Sequence, residues 1–140
     1  MKDIINLFRL FDKYANFSDK ELSRYIAPSI YYNQYKKHYH KEQLIGFTNW
    51  ALVSDEVENK FMKSQPLHLT DWKSGNNIWH IETVCTMNLP EIIAWTKNNL
   101  ATNYGINQTI KWAKIEDNKI QFVNTIQKRN LIRLKPHYII

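Results

Sequence analysis

The sequence predicts an α+β fold in which helices flank a mostly antiparallel sheet, arranged as one domain over residues 1–140. Helical apolar spacing in the N-terminal part of the chain gives way to alternating, strand-like segments after residue 30. Further along, a helical segment is interleaved with strand-like ones, which is typical of this fold class. With 140 residues, 44% of them apolar, the chain is long enough to bury one core.

Two helices are predicted first. Apolar side chains recur at helical spacing over residues 3–15. Ser18 and Glu21 then have the spacing of a capping box, in which the N-cap and the third helical residue satisfy each other's backbone groups. They begin a second helix, which Pro28 is expected to help end.

A strand pair and a short helix are predicted next. Residues 30–40 are rich in tyrosine and alternate crudely, and residues 43–53 suit an antiparallel neighbour. Residues 41–42 would form the turn between them. An acidic segment over residues 54–63 has a capping residue at its start and therefore predicts a short helix.

A helix and three strands are predicted in the second half of the chain. Pro90 fits the first turn of a helix, and Gly105 suits its C-terminal end. The remaining predicted elements are a turn over residues 71–77 and strands over residues 78–85, 109–116 and 119–126. The last two strands would be joined across Asp117 and Asn118.

Positive charge is unevenly distributed in this chain, whose formal net charge is +6. Beyond Asp117 there is no acidic residue, whereas lysine and arginine recur, and a second basic cluster covers residues 36–40. Such a field attracts nucleic acid, anionic lipid or an acidic carrier protein. A solvated face that keeps the protein soluble explains the charge equally well.

The composition disfavours several classes of protein. The apolar runs are short, the N-terminal segment lacks a signal-peptide pattern, and the single cysteine, Cys85, allows no internal disulfide. A cytoplasmic protein is therefore expected. No glycine-rich phosphate loop is present. His38 and His40 have no nearby acid or cysteine to complete a ligand set, so no metal and no other cofactor is expected.

The most informative segment covers residues 71–82, where an Asp-Trp-Lys-Ser-Gly turn leads into a strand carrying a tryptophan and then an acid. This segment resembles the corresponding stretch of the bacterial lysine acyltransferases that activate RTX toxins. Pro28, Asn-Gln-Tyr at residues 33–35 and Gly-Phe-Thr-Asn-Trp-Ala at residues 46–51 match further landmarks of that family in order and spacing. The resemblance covers about residues 25 to 127.

The resemblance implies a fold similar to the N-acetyltransferase superfamily. It also implies transfer of a fatty acyl group from acyl carrier protein to the ε-amino group of a lysine in a partner protein. A homodimer is a further expectation, because family members tend to dimerise. A basic surface would attract the acidic carrier protein, and five tryptophans with six phenylalanines provide apolar side chains for an acyl slot.

The resemblance also implies catalytic residues, namely a histidine near the N-terminus as the base and an acid after the Ser-Gly turn. Spacing back from Pro28 puts that histidine at about Ala15 or Asn16, yet the sequence has no histidine before His38. Loss of a general base typically slows a reaction about 100- to 10,000-fold. We therefore expect impaired or altered activity. Glu82 occupies the position of the acid.

His80 and Glu82 are predicted to replace the missing base. Because they are two positions apart on a strand, they are expected to face the same side of the sheet and to interact. A carboxylate beside an imidazole raises the pKa of the imidazole and orients it. Both residues are therefore candidate catalytic residues. The alternative is a polar pair on a solvated sheet face.

The same landmarks predict substrate-binding residues. These are Trp50, Asp71, Trp72, Ser74, Gly75 and Trp79. The tryptophans would line an acyl channel or, alternatively, fill the core. The Ser-Gly pair would position the acyl donor or only form a turn.

Two functions therefore stay open. One is a lysine acyltransferase that uses acyl carrier protein and acts on a protein substrate. The other is a non-catalytic binding module on the same scaffold, with a basic and aromatic surface for nucleic acid or a protein partner. The missing histidine favours the second function. Nucleic-acid affinity would fall steeply with salt, whereas a bound acyl chain would resist it.

Overall fold

The computed structural model describes residues 1–104, 109–116 and 119–127. It contains one five-stranded sheet in the order β1-β2-β3-β4-β5, with helices packed against it. The strands are β1 (Tyr35–His40), β2 (Gln43–Val53), β3 (Asn77–Cys85), β4 (Thr109–Glu116) and β5 (Lys119–Gln127). The helices are α1 (Lys2–Phe8), α2 (Asp19–Tyr31), α3 (Asp55–Met62) and α4 (Leu89–Tyr104).

The predicted α+β class with a mostly antiparallel sheet is confirmed. Three of the four neighbouring strand pairs are antiparallel, and β3 pairs with β4 in parallel. Helix α4 makes the crossover that a parallel connection requires. This order, an antiparallel series followed by a helix and a parallel strand, accords with the expected N-acetyltransferase-like fold.

The predicted N-terminal helix over residues 3–15 is wrong in its extent. Helix α1 ends at Phe8, and a separate 3₁₀ turn covers Asp12–Tyr14. Helical apolar spacing persists across the break because the side chains of both pieces enter the same hydrophobic cluster. The 3₁₀ turn directs Tyr14 inward, and its side chain is 3% exposed.

Pro28 does not end the second helix, and the first strand begins later than predicted. Helix α2 continues through Pro28 to Tyr31, so β1 starts at residue 35 rather than 30. An interior proline disrupts the helical hydrogen bonds around it. Here the side-chain amide of Asn49 donates to the carbonyl of Tyr25 at 2.7 Å, which gives a helical carbonyl near the proline a partner.

The remaining predictions agree with the structure to within about one residue where it describes them. Strands β2 to β5 and helix α3 confirm the predicted segments, and Ser54 caps α3 by accepting the Val57 N–H at 3.1 Å. Gly105, the predicted turn at residues 117–118 and the basic stretch after residue 127 lie outside the described residues. Of the helices described, none is long and apolar enough to cross a membrane.

The sheet separates two packed layers. Helices α1 to α3 cover one face, where buried side chains include Phe8, Leu22, Ile26, Phe47, Trp72, Trp79 and Ile81. Helix α4 covers the other face, where its Leu100 packs in one cluster with Trp50, Ile78 and Ile110. Most residues of β2 and of the first half of β3 are therefore buried whichever way their side chains point.

Candidate active site

A β-bulge in β3 determines which face of the sheet the side chains of His80 and Glu82 occupy. Asn49 of β2 pairs with Glu82, but the next residue, Trp50, pairs with His80, so Ile81 is an extra residue in β3. An extra residue reverses the in-and-out alternation of everything that follows it. The sequence pattern cannot show such an insertion, because the residues on either side still look like one strand.

The predicted His80–Glu82 pair is wrong for this reason. His80 stacks on Trp112, with ring centroids 3.7 Å apart, and its Nε2 lies 2.6 Å from Thr83 Oγ1. Glu82 instead accepts hydrogen bonds from the N-terminal region. His80 is 3% exposed, so the alternative of a solvated polar pair is wrong as well.

Glu82 makes polar contacts with the N-terminal 3₁₀ turn through Lys13 and Tyr14. Its Oε2 accepts the hydroxyl of Tyr14 and lies 3.4 Å from Lys13 Nζ, while its Oε1 accepts the Thr83 N–H at 3.1 Å. Burial, followed by the negative charge of Glu82, raises the pKa of Tyr14 above its ordinary value. The phenol is therefore protonated at neutral pH and acts as a donor. The Glu82 side chain is 14% exposed, which leaves it in contact with solvent.

Asn49 fixes the backbone at the bulge. Its Oδ1 accepts the Glu82 N–H at 3.0 Å, and its Nδ2 donates to the Tyr25 carbonyl at 2.7 Å and to Ser29 Oγ at 3.1 Å. The residue is fully buried. A buried amide with three hydrogen bonds holds α2 and β3 at a fixed separation. Asn49 belongs to the landmark at residues 46–51, but no local sequence pattern indicates this role.

A groove lies between α2 and the segment that follows α3, and Ile81, the residue before Glu82, forms part of its lining. Its volume is about 760 Å³, which is within the range of small-molecule pockets. Its lining includes Arg24, Tyr25, Pro28, Leu67, Trp72 and Ile81. Ile81 directly precedes Glu82, and the negative charge of Glu82 contributes to a raised pKa of Tyr25, after the larger effect of burial. The groove therefore reaches the neighbourhood of the carboxylate.

The pairing between strands β3 and β4 ends close to Glu82 in the sequence of β3. Their parallel ladder joins residues 78–80 to residues 110–112, and the described parts of the strands form no further pairs beyond His80 and Trp112. A register shift in the β4–β5 ladder follows directly after Trp112. Bulges bend strands and commonly occur beside functional sites. Glu82 thus lies where the sheet begins to open.

A family comparison identifies the scaffold that carries this geometry. The model of the RTX toxin acyltransferase family matches residues 2–127. The chain belongs to the RTX toxin acyltransferase family. It is also similar to a protein of Synechocystis sp., described as the uncharacterized protein sll0720, with 28% identity over 105 residues, covering 72% of this chain and 71% of that protein.

Tyr14 lies one or two residues before the position at which the resemblance to the RTX toxin acyltransferase family predicted a histidine. The family's histidine was expected at about Ala15 or Asn16, and both of these residues are exposed. The side chain that reaches the acid comes from Tyr14 instead. The sequence could not reveal this contact, because it depends on the 3₁₀ turn that interrupts the predicted helix.

His80 belongs to a buried polar chain beneath α4. Thr83 Oγ1 lies 3.1 Å from Thr48 Oγ1, which in turn lies 3.0 Å from His38 Nε2. Burial lowers the pKa of His80 to about 3 and that of His38 to about 4. Both imidazoles are therefore neutral at neutral pH. This chain connects to Glu82 through Thr83, whose backbone N–H binds the carboxylate.

The Ser-Gly turn has clear structural contacts. The N–H groups of Ser74 and Gly75 both donate to the Leu52 carbonyl, at 2.7 and 3.2 Å. Ser74 Oγ donates to the Asp71 carbonyl at 2.8 Å and accepts the Ser54 N–H at 3.0 Å. A Cβ on Gly75 would lie 2.5 Å from Ser54 Cα, so only glycine fits this close approach.

The predicted substrate-binding residues do not gather around Glu82. Ser74 and Gly75 lie just before β3, and Glu82 follows Gly75 by seven positions, roughly 20 Å of extended backbone. Asp71 caps a second 3₁₀ turn, which covers Leu69–Trp72, by accepting the His68 N–H at 2.9 Å. Their role toward substrate stays a prediction.

The three predicted tryptophans are core residues. Trp50, Trp72 and Trp79 are at most 4% exposed. Trp79 Nε1 donates to Glu58 at 2.9 Å, and Trp50 Nε1 donates to the Tyr104 hydroxyl at 3.1 Å. Trp72 also borders the groove, so it is the tryptophan of this set that an acyl chain there would contact.

The basic cluster over residues 36–40 is weaker than the sequence indicates. Lys37 is paired with Asp3 at 2.7 Å, and His38 is buried and neutral. Lys36 lies over the ring of Trp95, with Nζ 5.7 Å from the centroid. Within the described part of the chain, no three histidine, cysteine or acidic residues group in a way that could hold a metal ion.

Proposed function

We propose that this chain transfers a fatty acyl group from acyl carrier protein to the ε-amino group of a lysine in a protein substrate. Membership of the RTX toxin acyltransferase family supports the reaction class and a protein substrate. The observation that carries the proposal is the position of Glu82. A partly exposed carboxylate lies at the bulge of β3, directly after Ile81, which lines a groove of about 760 Å³.

The chemistry requires deprotonation of the attacking lysine, because an ammonium group has no lone pair for attack on a thioester. Glu82 would attract the ammonium and take one proton. The neutral amine then attacks the thioester carbonyl, and the thiol leaves as the amide forms. Tyr14 keeps its proton and orients the carboxylate through its hydrogen bond, while Asn49 holds the backbone of Glu82.

His80 is assigned a supporting role in this proposal. Its contact with Thr83 Oγ1 restrains the residue whose backbone N–H binds Glu82. A neutral, buried imidazole on the opposite face of the sheet is poorly suited to take a proton from an incoming lysine. The same contact suits it to hold the carboxylate in place.

The groove is assigned to the acyl chain of the donor. Its walls include the apolar side chains of Pro28, Leu67 and Ile81, and Arg24 contributes a positive charge at its lining. A hydrocarbon chain gains about 0.8 kcal/mol for each CH₂ group that it buries. The arginine would attract an acidic carrier protein toward the same side.

The alternative is a non-catalytic binding module on the same scaffold. One observation favours it, namely that the side chain hydrogen-bonded to Glu82 is the phenol of Tyr14, which retains its proton, and not an imidazole. The basic C-terminal stretch that would bind nucleic acid lies outside the described residues. Binding of a nucleic acid that weakens steeply as salt is raised would support this alternative.

The test is incubation of the chain with acyl carrier protein bearing a labelled palmitoyl group and with an unacylated RTX toxin as acceptor. Mass spectrometry should find the label in amide linkage on a lysine of the toxin. Glu82→Gln should remove the transfer, and Glu91→Gln, which changes an exposed acid on α4, should retain it. Absence of label from the toxin with every acyl chain tried would favour the binding module.

A further inference from the structure

Lys13 already lies where an acceptor lysine would have to be. Its Nζ is 3.4 Å from Glu82 Oε2, and its side chain is 42% exposed. The same carboxylate oxygen accepts the hydroxyl of Tyr14. The structure therefore shows a lysine ammonium on the carboxylate that is assigned to deprotonate one.

We propose that Lys13 is itself an acyl acceptor, so that the chain attaches a fatty acyl group to its own N-terminal region. The donor is an acyl thioester, and the product is an amide at Lys13 Nζ. The inference rests on the proposed function, because it uses the same donor and the same carboxylate.

The reaction at Lys13 balances without any additional reactant. The ammonium gives one proton to Glu82, and the neutral Nζ attacks the thioester carbonyl carbon. A C–N bond forms, the C–S bond breaks, and the second Nζ proton leaves with the thiol. Glu82 then releases its proton to water. Because the product is an amide rather than a thioester, the acyl group stays on Lys13 as a stable modification.

The groove would bring the donor to Lys13. Ile81 and Tyr25 form part of its lining; Ile81 directly precedes Glu82 in β3, and the negative charge of Glu82 helps to raise the pKa of Tyr25, after the larger effect of burial. An acyl chain in the groove would therefore end with its thioester near the carboxylate. Tyr14 does not compete for the proton, because burial and Glu82 keep its phenol protonated. Among the described contacts of Lys13, Glu82 is the one group able to accept a proton.

A purely structural ion pair predicts a different behaviour. Exposed ion pairs stabilise proteins little, and an arginine would serve equally well in such a pair. Arginine has too high a pKa to be deprotonated and acylated under these conditions. Lys13→Arg therefore separates the two roles, because it keeps the charge beside Glu82 and removes the nucleophile.

The experiment uses the full chain and palmitoyl-loaded acyl carrier protein without any acceptor protein. Intact mass should show one acyl group per chain, and peptide mapping should place it on Lys13. Lys13→Arg should lose the modification, while Lys20→Arg, a matched exposed lysine on α2, should keep it. Glu82→Gln should slow it by about 100-fold or more. With the donor at saturating concentration, the first-order rate constant for the modification should not depend on the concentration of the chain.

A parallel reaction that includes an unacylated RTX toxin distinguishes the failure of this inference from failure of the proposed function. Acylation of the toxin without acylation of Lys13 would overturn the inference and leave the function standing. Acylation of neither protein would overturn both. Equal acylation of several exposed lysines, unchanged in Glu82→Gln, would indicate uncatalysed reaction and would also overturn the inference. A first-order rate constant that rises with the concentration of the chain would show transfer between molecules, and it would likewise overturn the inference.

Discussion

At the scale of single residues, the site depends on the hydrogen bond between Tyr14 and Glu82. The phenol is buried and keeps its proton, so it orients the carboxylate and cannot act as a base. An imidazole in the same place would be able to take a proton, because a neighbouring carboxylate brings its pKa toward or above neutrality. We therefore expect the identity of this one side chain to control the rate of acyl transfer.

We expect Tyr14→His to increase the rate of acyl transfer by about 100- to 10,000-fold, the usual contribution of a general base. The measurement is the single-turnover rate with palmitoyl-loaded acyl carrier protein at saturating concentration. Tyr14→Phe is the control, since it keeps the ring and removes the hydroxyl, and it should give no gain. A folded Tyr14→His protein with an unchanged rate would contradict the assignment of this position.

His80 should make the stability of the fold sensitive to acid. Burial holds the pKa of its folded form at about 3, below the unfolded value of 6.5. Between these values the unfolded chain binds the proton and the folded chain does not. The stabilisation is therefore complete above about pH 6.5 and is lost as the pH falls toward 3.

From pH 7 to pH 4, His80 alone should lower the free energy of unfolding by on the order of 2–3 kcal/mol. Denaturant unfolding at the two pH values measures this change. His80→Gln should reduce the acid sensitivity, and His40→Gln, which changes an exposed histidine, should leave it as in the parent chain. Equal acid sensitivity in all three proteins would show that His80 is not buried in its neutral form.

At the scale of elements, the strands were predictable and the bulge was not. Strands β2 to β5 could be located because turn-forming residues and apolar runs mark their ends, and a bulge inside a strand does not change these signals. The orientation of His80 and Glu82 depends on a single extra residue, Ile81, which leaves the apolar pattern intact. The break between α1 and the 3₁₀ turn was missed for a similar reason, since both pieces bury apolar side chains.

Substitutions in the Ser-Gly turn distinguish a structural role of this turn from a catalytic one. Gly75→Ala would force a Cβ to within 2.5 Å of the Ser54 backbone, so we expect a loss of about 2–4 kcal/mol of stability. Ser74→Ala removes two hydrogen bonds and should cost about 1–2 kcal/mol.

Per folded molecule, Ser74→Ala should transfer acyl groups at the parent rate, because the turn is far from Glu82. Thermal unfolding and a transfer assay corrected for the folded fraction give the two quantities. A stable Ser74→Ala protein with a greatly reduced rate would show instead that Ser74 contacts the donor, as the landmarks first indicated.

At the scale of the whole molecule, one sheet brings together parts of the chain that are distant in sequence. The N-terminal 3₁₀ turn supplies Lys13 and Tyr14, β2 supplies Asn49, and the bulge in β3 supplies Glu82. Glu82 could be proposed from the sequence because the family resemblance points to its position directly. Its partners could not be predicted, since each depends on packing between elements that no local pattern specifies.

The groove predicts selectivity for acyl chain length. Leu67 lines it, so Leu67→Trp should fill part of the space and reduce transfer of a palmitoyl group by about 10-fold or more. Transfer of a butyryl group should change much less, because a short chain does not reach the obstruction. Met62→Trp, at an exposed position on α3, is the control. Equal loss for both chain lengths would place the acyl chain elsewhere.

The most direct measurement compares the single-turnover rate of acyl transfer by the parent chain, Glu82→Gln and Glu91→Gln, each saturated with palmitoyl-loaded acyl carrier protein. If the Glu82 carboxylate deprotonates the attacking lysine, Glu82→Gln should lose at least about 100-fold in rate while still binding the donor, and Glu91→Gln should match the parent. A Glu82→Gln protein that transfers the acyl group at the parent rate would contradict the assignment of this site.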